Sequence, residues 1–160
     1  DGWFHTGDAG YLKDSHLYLT ERIKDLFKTS NGKYISPQAL ETKLAIDRYI
    51  DQIAVIADER KFVSALIVPV YGFVKDYAKE KGIAYSNMDE LLQHPKIQAL
   101  FRARIDTLQQ QFAHYEQVKR FTLLTEPFSM ERGELTNTLK LKRSVVAKNY
   151  KGLIDKMYEE

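Results

Sequence analysis

Three short segments of the chain carry polar and charged side chains at spacings that the packing of a hydrophobic core does not explain. They are residues 6–8, residues 21–32 and residues 133–143. An ionised aspartate can accept two hydrogen bonds from a vicinal diol, an arginine presents a planar fork to phosphate or carboxylate, and a lysine acts as a point charge. The chemistry that these residue types offer is the binding of hydroxyls and anions.

The first segment is Thr6-Gly7-Asp8, in which a glycine separates a hydroxyl from a carboxylate. Glycine lets the backbone approach a ligand closely, and Asp8 could then bind the hydroxyls of a ribose. The same three residues are also typical of an ordinary turn. On these residues alone both interpretations are open.

The second segment contains Arg22, Lys24 and Lys28 and runs into Asn31-Gly32. The planar fork of Arg22 suits ribose oxygens, phosphate or a carboxylate. Alternating basic residues are also typical of the solvated edge of a sheet, where they discourage aggregation. A binding role and an edge role are therefore both open here.

The third segment is rich in hydroxyls and ends in three cations, Lys140, Lys142 and Arg143. A loop of this kind before a helix could hold an anion through its side chains and the N–H groups of the helix start. The simpler alternative is that Thr138 caps the helix and that the three cations are exposed to solvent.

The composition limits the class of protein. The 160 residues, 44% hydrophobic and 12% aromatic, suffice for one core or for one core with an appended arm. The chain has no cysteine, which excludes disulfides and thiol nucleophiles and fits a reducing compartment. Its 24 basic and 22 acidic residues nearly cancel, so no basic face for nucleic acid is indicated. The apolar stretches are too short to span a bilayer, so we expect a soluble protein. The absence of cysteine favours the cytoplasm, and the four histidines show no ligand spacing, so no metal site is expected.

The elements that would position these segments begin with two hairpins. The first has its turn at Asp14-Ser15, and the second at residues 30–33, where Asn31-Gly32 is expected to supply positive φ angles. The next predicted elements are a helix from Ser36-Pro37, with Leu40 and Leu44 on one face, and antiparallel strands at 53–57 and 63–70. They are followed by a helix at 73–81 ending at Gly82, a helix after His94-Pro95, a strand at 121–124, a loop at 126–134 and a closing helix at 141–158.

The two longest predicted helices are amphipathic. After Pro95, apolar residues recur at three- and four-residue spacing as far as Phe112, and Gln109 belongs to the opposite, polar face. In the closing helix the predicted apolar face runs through Val145, Leu153 and Met157. The mixed order of the elements predicts an α+β fold, with a small antiparallel or mixed sheet flanked by helices and preceded by a β-hairpin arm.

In their order and approximate spacing, the three polar segments resemble those of the acyl-adenylate-forming superfamily, which includes the AMP-forming acyl-CoA synthetases. Residues 3–8, Trp-Phe-His-Thr-Gly-Asp, resemble the aromatic-x-Thr-Gly-Asp segment of that family. The resemblance implies that Asp8, with Thr6 beside it, binds the ribose hydroxyls of ATP.

Residues 21–25, Glu-Arg-Ile-Lys-Asp, resemble the hinge segment of the same family. This implies that Arg22 contacts the nucleotide and that Lys24 is the pivot, with Glu21 standing where the family usually has glycine. Gly32 falls in the hairpin that, in related enzymes, moves to the pantetheine tunnel when the thioester forms.

Residues 135–143 resemble the final motif of the family, whose lysine reaches the acyl carboxylate and the α-phosphate during adenylation. The resemblance places that lysine at Lys140. Leu139 stands where many members have glycine, and Asn137 where many have proline. The sequences of residues 21–37 and of this final motif are especially similar to those of long-chain fatty-acid–CoA ligases.

The resemblance covers the whole chain and implies that it contains parts of two domains with different roles. Residues 1–23 would be the end of an N-terminal domain that binds nucleotide and acyl group, and residues 24–160 would be a C-terminal mobile lid with its hinge at Lys24. The lid would supply Lys140 to adenylation and, with Lys28 in a supporting role, present Gly32 to CoA. The fragment alone is expected to be inactive.

The implied reaction converts a fatty acid, ATP and CoA to acyl-CoA, AMP and pyrophosphate. ATP and Mg²⁺ would be held mainly by the chain's own N-terminal domain, which is thus its expected partner, and no nucleic acid is expected. Peripheral contact of the full enzyme with a membrane is compatible with this assignment. Two alternatives stay open: a lid for another carboxylic acid, aryl or amino, and a non-enzymatic basic interaction module.

Overall fold

The computed structural model of the chain describes Gly2 and residues 4–159, and at Glu21 it describes the backbone alone. Within that part of the chain, two hairpins are followed by a mixed sheet that helices cover. The architecture is α+β with a hairpin arm, as predicted.

The arm consists of β1 (Asp8–Lys13) and β2 (His16–Arg22), which pair antiparallel. Its turn lies at Asp14 and Ser15, as predicted, and both residues have a left-handed φ, of 49° and 61°. Such a turn matches the right-handed twist of the two strands. Residues 10–20 are exposed along their whole length, so the arm extends into solvent.

The second hairpin joins β3 (Phe27–Lys28) to β4 (Tyr34–Ile35). Gly32 has a φ of 75°, but Asn31 is not left-handed, so the prediction was wrong for Asn31. The reason is the length of the loop. Thr29 N donates to Lys33 O and Gly32 N donates to Thr29 O, and these two bonds close a turn that needs a single left-handed residue.

The first α-helix, α1 (Pro37–Leu44), begins where the sequence predicts. Ser36 Oγ accepts a hydrogen bond from Ala39 N at 3.3 Å, and Pro37 occupies the first turn, where its missing N–H costs nothing. Leu40 and Leu44, predicted on one face, are both buried and fix α1 on the sheet.

The sheet contains β5 (Ile50–Ile56), β6 (Val63–Pro69) and β7 (Val118–Leu123), in that order. The first pair is antiparallel, as predicted, and β6 pairs with β7 in parallel. β7 begins three residues before the predicted strand. Every residue of β6 is buried, because helices cover both faces of this central strand.

Helices α2 (Tyr71–Glu80), α3 (Met88–Gln93) and α4 (Pro95–Leu108) form the crossover that a parallel strand pair requires. α3 was not predicted; Asn87 caps it by accepting a hydrogen bond from Glu90 N at 2.9 Å. Gln109 was predicted on a polar face but is buried. Its side chain bonds to both Val118 N (2.8 Å) and Val118 O (3.3 Å), and so it satisfies the backbone at the start of β7.

The predicted closing helix is in fact two helices, α5 (Arg143–Asn149) and α6 (Lys151–Tyr158). The break is at Tyr150, whose ring packs edge-on against Phe128 at 5.7 Å. The buried residues are Val146, Ile154 and Met157, whereas Leu153 is 37% exposed. The predicted apolar face was therefore wrong at Leu153; Tyr150, with φ −104° and ψ 18°, departs from helical backbone angles and separates α5 from α6.

In the described part of the chain, hydrophobic residues form a core on each face of the sheet. Ile53 and Val55 belong to the core beneath α1 and α4, and Ala54 belongs to the core beneath α5 and α6. Ile35 anchors the Gly32 hairpin in the first core. Leu135 anchors the segment before Lys140 in the second, so the two predicted functional segments are fixed in different cores.

Candidate functional site

Asp8 and Arg22 face each other at the base of the arm. They are register partners in the β1–β2 pair, and Arg22 Nε lies 3.6 Å from Asp8 Oδ1. The side chains are 76% exposed at Arg22 and 29% at Asp8, so the pair contributes little to stability. The guanidinium keeps donors that a ligand can use, and the carboxylate keeps acceptors.

Thr6 and Gly7 fix the approach to Asp8. Thr6 Oγ1 accepts a hydrogen bond from Asp8 N at 3.2 Å, and Gly7 has a φ of 77°, which glycine adopts without strain. Gly7 O accepts a bond of 2.8 Å from Ile23 N. This bond places the start of the predicted hinge beside the segment that carries Asp8. Phe4, the aromatic residue of the predicted motif, is exposed, whereas Trp3 before it lies outside the described residues.

Lys24 lies in one 3₁₀ turn, Ile23–Asp25, between the arm and the second hairpin. The turn buries none of its residues, and it is closed by a bond of 3.3 Å from Leu26 N to Ile23 O. A short exposed segment of this kind has few contacts that would oppose a change in its backbone angles. The position is compatible with a pivot.

Gly32 lies at the tip of the second hairpin, which rests on the loop between β5 and β6. Ser30 N donates to Arg60 O at 3.0 Å, and Asn31 Nδ2 donates to Lys61 O at 3.4 Å. A Cβ added at Gly32 would meet no atom within 4 Å. The tip is therefore held by its neighbours while its outer surface stays open.

Two cations of this hairpin lie beside aromatic rings. Lys28 Nζ is 5.9 Å from the centre of the Tyr34 ring, and Lys33 Nζ is 5.4 Å from the centre of the Tyr115 ring. Both lysines are exposed. Lys28 was selected from the sequence and Lys33 was not, because Tyr115 is too far along the chain for a local pattern to indicate its contact with Lys33.

Lys140 lies on a tight loop whose ends, Leu135 and Leu141, form an isolated antiparallel bridge. Thr136 N donates to Lys140 O at 2.8 Å, and Leu139 N donates to Thr136 O at 2.9 Å. The Lys140 side chain is exposed, and its ammonium has no hydrogen-bond or ion-pair partner among the side chains and backbone that the structure describes. The loop thus holds the backbone of Lys140 and leaves its charge available.

The alternative reading of this loop, in which Thr138 caps the helix, is wrong. The residue at the N-cap of α5 is Lys142, and no side chain caps the helix there. Thr138 Oγ1 lies 3.1 Å from Thr136 Oγ1 instead. The hydroxyls therefore belong to the loop and not to the helix start.

Glu134 anchors the start of the Lys140 loop and is fully buried. Its carboxylate accepts hydrogen bonds from Ser129 N (3.0 Å), Arg132 Nε (3.1 Å) and Asn149 Nδ2 (3.1 Å). Burial acts to raise the pKa of Glu134, but these bonds, led by the one from Arg132, outweigh it and hold the pKa below its ordinary value of 4.5. Glu134 O also accepts a bond from Lys142 N at 2.8 Å, so both ends of the loop are tied together.

Arg143 forms an internal ion pair, so the alternative in which all three cations are exposed is wrong for this residue. It donates two bonds, of 2.6 and 2.7 Å, to the carboxylate of Glu41 on α1. Glu41 also accepts a bond of 2.8 Å from Val55 N, and the guanidinium of Arg143 lies 5.4 Å from the centre of the Phe27 ring. These contacts join α5 to α1, β5 and β3, so Lys140 and Lys142 are the cations of the segment that face solvent.

The structure brings Thr6, Asp8 and Arg22 together and keeps Lys140 separate from them. Among the described residues, no hydrogen bond or ion pair joins the Lys140 side chain to Asp8 or Arg22. The two groups are carried by different elements, the arm and the loop before α5. A site that uses both requires a further surface or a movement of the elements.

Neither a metal cluster nor a membrane span occurs in the part of the chain that the structure describes. No three His, Cys, Asp or Glu side chains gather there as ligands for a metal ion. No helix there is both long and apolar enough to cross a bilayer.

The family model of the AMP-binding enzyme C-terminal domain matches residues 24–160. Long chain acyl-CoA synthetase 7, peroxisomal, from Arabidopsis thaliana is 35% identical over 164 residues, which are 100% of this chain and 23% of that protein. Long-chain-fatty-acid–CoA ligase 5 from Rattus norvegicus is 36% identical over 166 residues, which are 99% of this chain and 24% of that protein. The chain spans about a quarter of the length of these relatives.

A solved structure confirms the fold. The adenylation domain of carboxylic acid reductase from Segniliparus rugosus, in complex with AMP and a co-purified carboxylic acid, matches with a TM-score of 0.75 at 21% identity. The match covers 96% of this chain and 23% of that chain. At this identity the likeness applies to the fold alone.

Proposed function

The chain belongs to the AMP-binding enzyme C-terminal domain family, and from this premise we propose that it is the lid of a long-chain fatty-acid–CoA ligase. The observation that carries the proposal is the exposed ammonium of Lys140, which has no partner in the described structure and sits on a loop whose backbone is tied at both ends. The relatives named long-chain acyl-CoA synthetase, which match along the whole chain, support the acyl class.

Lys140 acts in the first half-reaction. The carboxylate oxygen of the fatty acid attacks the α-phosphorus of ATP, the bond to pyrophosphate breaks, and acyl-adenylate forms. Negative charge develops around the α-phosphate in this step. A preorganised ammonium that meets the carboxylate and the α-phosphate stabilises that charge and aligns the reactants.

Asp8, Thr6 and Arg22 form the nucleotide side of the proposal. The Asp8 carboxylate binds the ribose hydroxyls of ATP, and Arg22 contacts the nucleotide with donors that its 3.6 Å contact to Asp8 leaves free. The exposure of Arg22 and the bond from Asp8 N to Thr6 support this assignment. ATP enters as its Mg²⁺ complex, and both are held mainly by the N-terminal domain.

A rotation about Lys24 separates the two half-reactions. After adenylation the lid withdraws Lys140 and presents the Gly32 hairpin, with Lys28, to CoA; the CoA thiolate then attacks the acyl carbonyl and AMP leaves. Two features support this: the exposed 3₁₀ turn at Lys24, and the anchoring of the two segments in different cores.

The same pivot divides the chain, with residues 1–23 belonging to the N-terminal domain and residues 24–160 forming the lid. The family match begins at Lys24, which supports the division. The exposed apolar side chains of the arm support it as well, since a covering domain would remove them from water. They are Tyr11, Leu12, Leu17, Tyr18 and Leu19. The N-terminal domain is thus the proposed partner, and the cytoplasm is the proposed location.

The test is a substrate panel on the full-length enzyme, with AMP and pyrophosphate as the measured products. Long-chain fatty acids should be turned over with CoA much faster than aryl or amino acids. Faster turnover of an aryl or amino acid would reassign the substrate class. Formation of no AMP with any acid, together with salt-sensitive binding to nucleic acid, would favour the interaction-module alternative.

A further inference from the structure

Thr136 controls the backbone of Lys140 from both sides. Thr136 N donates to Lys140 O at 2.8 Å, and Lys140 N donates to the side-chain oxygen Thr136 Oγ1 at 3.1 Å. Both backbone polar groups of Lys140 are therefore bonded to one residue. A side chain whose Cα is fixed in this way starts from a defined point, and the exposed ammonium can search only a limited region.

The residues between Thr136 and Lys140 restrict the backbone angles of the turn. Leu139 N donates to Thr136 O at 2.9 Å, and Leu139 has a φ of 61°, which a leucine adopts only when the surrounding bonds impose it. Thr136 is half-buried, whereas Asn137, Thr138 and Lys140 are exposed. Thr136 thus connects the solvent-facing part of the loop to its buried base.

A purely local structural role would not explain why a hydroxyl is placed here. Lys140 N lies in an exposed part of the loop, where water can satisfy it at little cost in stability. What water cannot do is hold that N–H in one direction. The bond from Lys140 N to Thr136 Oγ1 therefore matters for the position of Lys140 more than for the free energy of unfolding.

We infer that Thr136 is a positioning residue for adenylation, acting through Lys140; the inference rests on the role proposed for Lys140 above. Thr136 touches no reacting atom. It sets the place from which the Lys140 ammonium reaches the fatty-acid carboxylate and the α-phosphate, and it has no task once the lid has rotated for thioester formation.

The experiment measures the two half-reactions separately in the full-length enzyme, with Thr136→Val and Thr136→Ser. Valine keeps the shape and removes the acceptor, whereas serine keeps it. Thr136→Val should lower kcat for acyl-adenylate formation on the order of 10-fold to 100-fold, as a misplaced group does, with KM for ATP and fatty acid almost unchanged. Transfer of pre-formed acyl-adenylate to CoA should stay normal, and Thr136→Ser should restore most of the adenylation rate.

Thr138→Val is the matched control, because its hydroxyl contacts Thr136 Oγ1 but not the backbone of Lys140. It should change the adenylation rate by no more than about twofold. The double variant Thr136→Val, Lys140→Ala should be no slower than Lys140→Ala alone, since both changes would act through one ammonium.

Three outcomes would overturn the inference: a normal adenylation rate in Thr136→Val, an equal loss in both half-reactions, or a further loss in the double variant beyond that of Lys140→Ala. Lys140→Ala itself separates the two claims. If Lys140→Ala is slow and Thr136→Val is not, only the role of Thr136 fails. If Lys140→Ala is as fast as the unchanged enzyme, the proposed function of the loop fails first.

Discussion

At the scale of single residues, Leu139 shows how the chain departs from its family without losing the loop. Many members have glycine at this place, and the observed φ of 61° gives the reason, since glycine adopts that angle without strain. Leu139 is also 67% exposed, so its side chain gains little from packing.

Leu139→Gly should therefore stabilise the chain. Relief of the left-handed leucine is worth about 1–2 kcal/mol, and the greater freedom of glycine in the unfolded chain offsets about 0.5–1 kcal/mol of it. We expect the free energy of unfolding, measured by urea denaturation, to rise by roughly 0.5–1 kcal/mol. Asn137→Gly is the control: Asn137 is exposed in the same loop but is not left-handed, so that variant should lose stability. A loss in both variants would contradict strain at Leu139.

Residue type alone could not predict this angle. Leucine avoids the left-handed region, and the left-handed φ at position 139 was indicated only by the glycine that related motifs have there. The positive φ of Gly32 was predictable because an Asn-Gly pair is typical of a tight turn, although Asn31 itself does not adopt a positive φ. Asp8 and Arg22 were both selected from the sequence, and their 3.6 Å contact follows from the register of a hairpin that was also predicted.

At the scale of elements, the loop that carries Lys140 depends on the buried carboxylate of Glu134. The pKa of Glu134 is held below its ordinary value of 4.5, chiefly because the bond from Arg132 overcomes the effect of burial. A carboxyl whose pKa is lowered by folding contributes stability above its unfolded pKa and loses that contribution as the pH falls through the folded value.

The stabilisation from Glu134 should therefore be complete above about pH 4.5 and decline below it. At neutral pH, Glu134→Gln should lower the free energy of unfolding by roughly 1–3 kcal/mol, since buried donors lose a charged acceptor. Urea titrations at a series of pH values measure the difference between the two proteins. That difference should shrink as the pH falls below about 4.5; a difference that is the same at every pH would contradict the account.

Local sequence patterns predicted most helices and strands, but not the contacts between residues that are far apart in the sequence. The start of α1 at Ser36-Pro37 was predictable because a cap and its proline are adjacent in sequence. Glu134 lies in a predicted loop, but its burial was not predictable, because its partner Asn149 lies fifteen residues further on. The break at Tyr150 was not predicted, because the residue at the break is neither proline nor glycine and its ring contact with Phe128 is remote in sequence.

At the scale of the whole molecule, we propose a lid that performs two tasks in turn. The Gly32 hairpin and the Lys140 loop are anchored in different cores, and the arm before Lys24 exposes apolar residues that fit a covering domain. The parallel pairing of β6 with β7, which arranges these cores, could not be predicted from the sequence, because it joins strands separated by three helices.

The proposed pivot at Lys24 leads to a prediction about the rates of the two half-reactions. Proline at position 24 fixes φ and opposes the rotation, so Lys24→Pro in the full-length enzyme should impair thioester formation more than adenylation. Quenched-flow measurement of acyl-adenylate and acyl-CoA in the same reaction gives both rates. Equal losses in the two rates would contradict a hinge at Lys24.

The most direct test of the central claim is the rate of each half-reaction in Lys140→Ala. Adenylation should fall by a factor on the order of 10²–10³, the loss expected for one preorganised donor, while transfer from pre-formed acyl-adenylate to CoA stays near normal. Lys142→Ala, which removes an exposed charge two residues away, should affect adenylation much less. If Lys142 proves critical and Lys140 does not, the motif is displaced by two residues; if neither matters, or if Lys140→Ala slows both half-reactions alike, this loop does not serve adenylation.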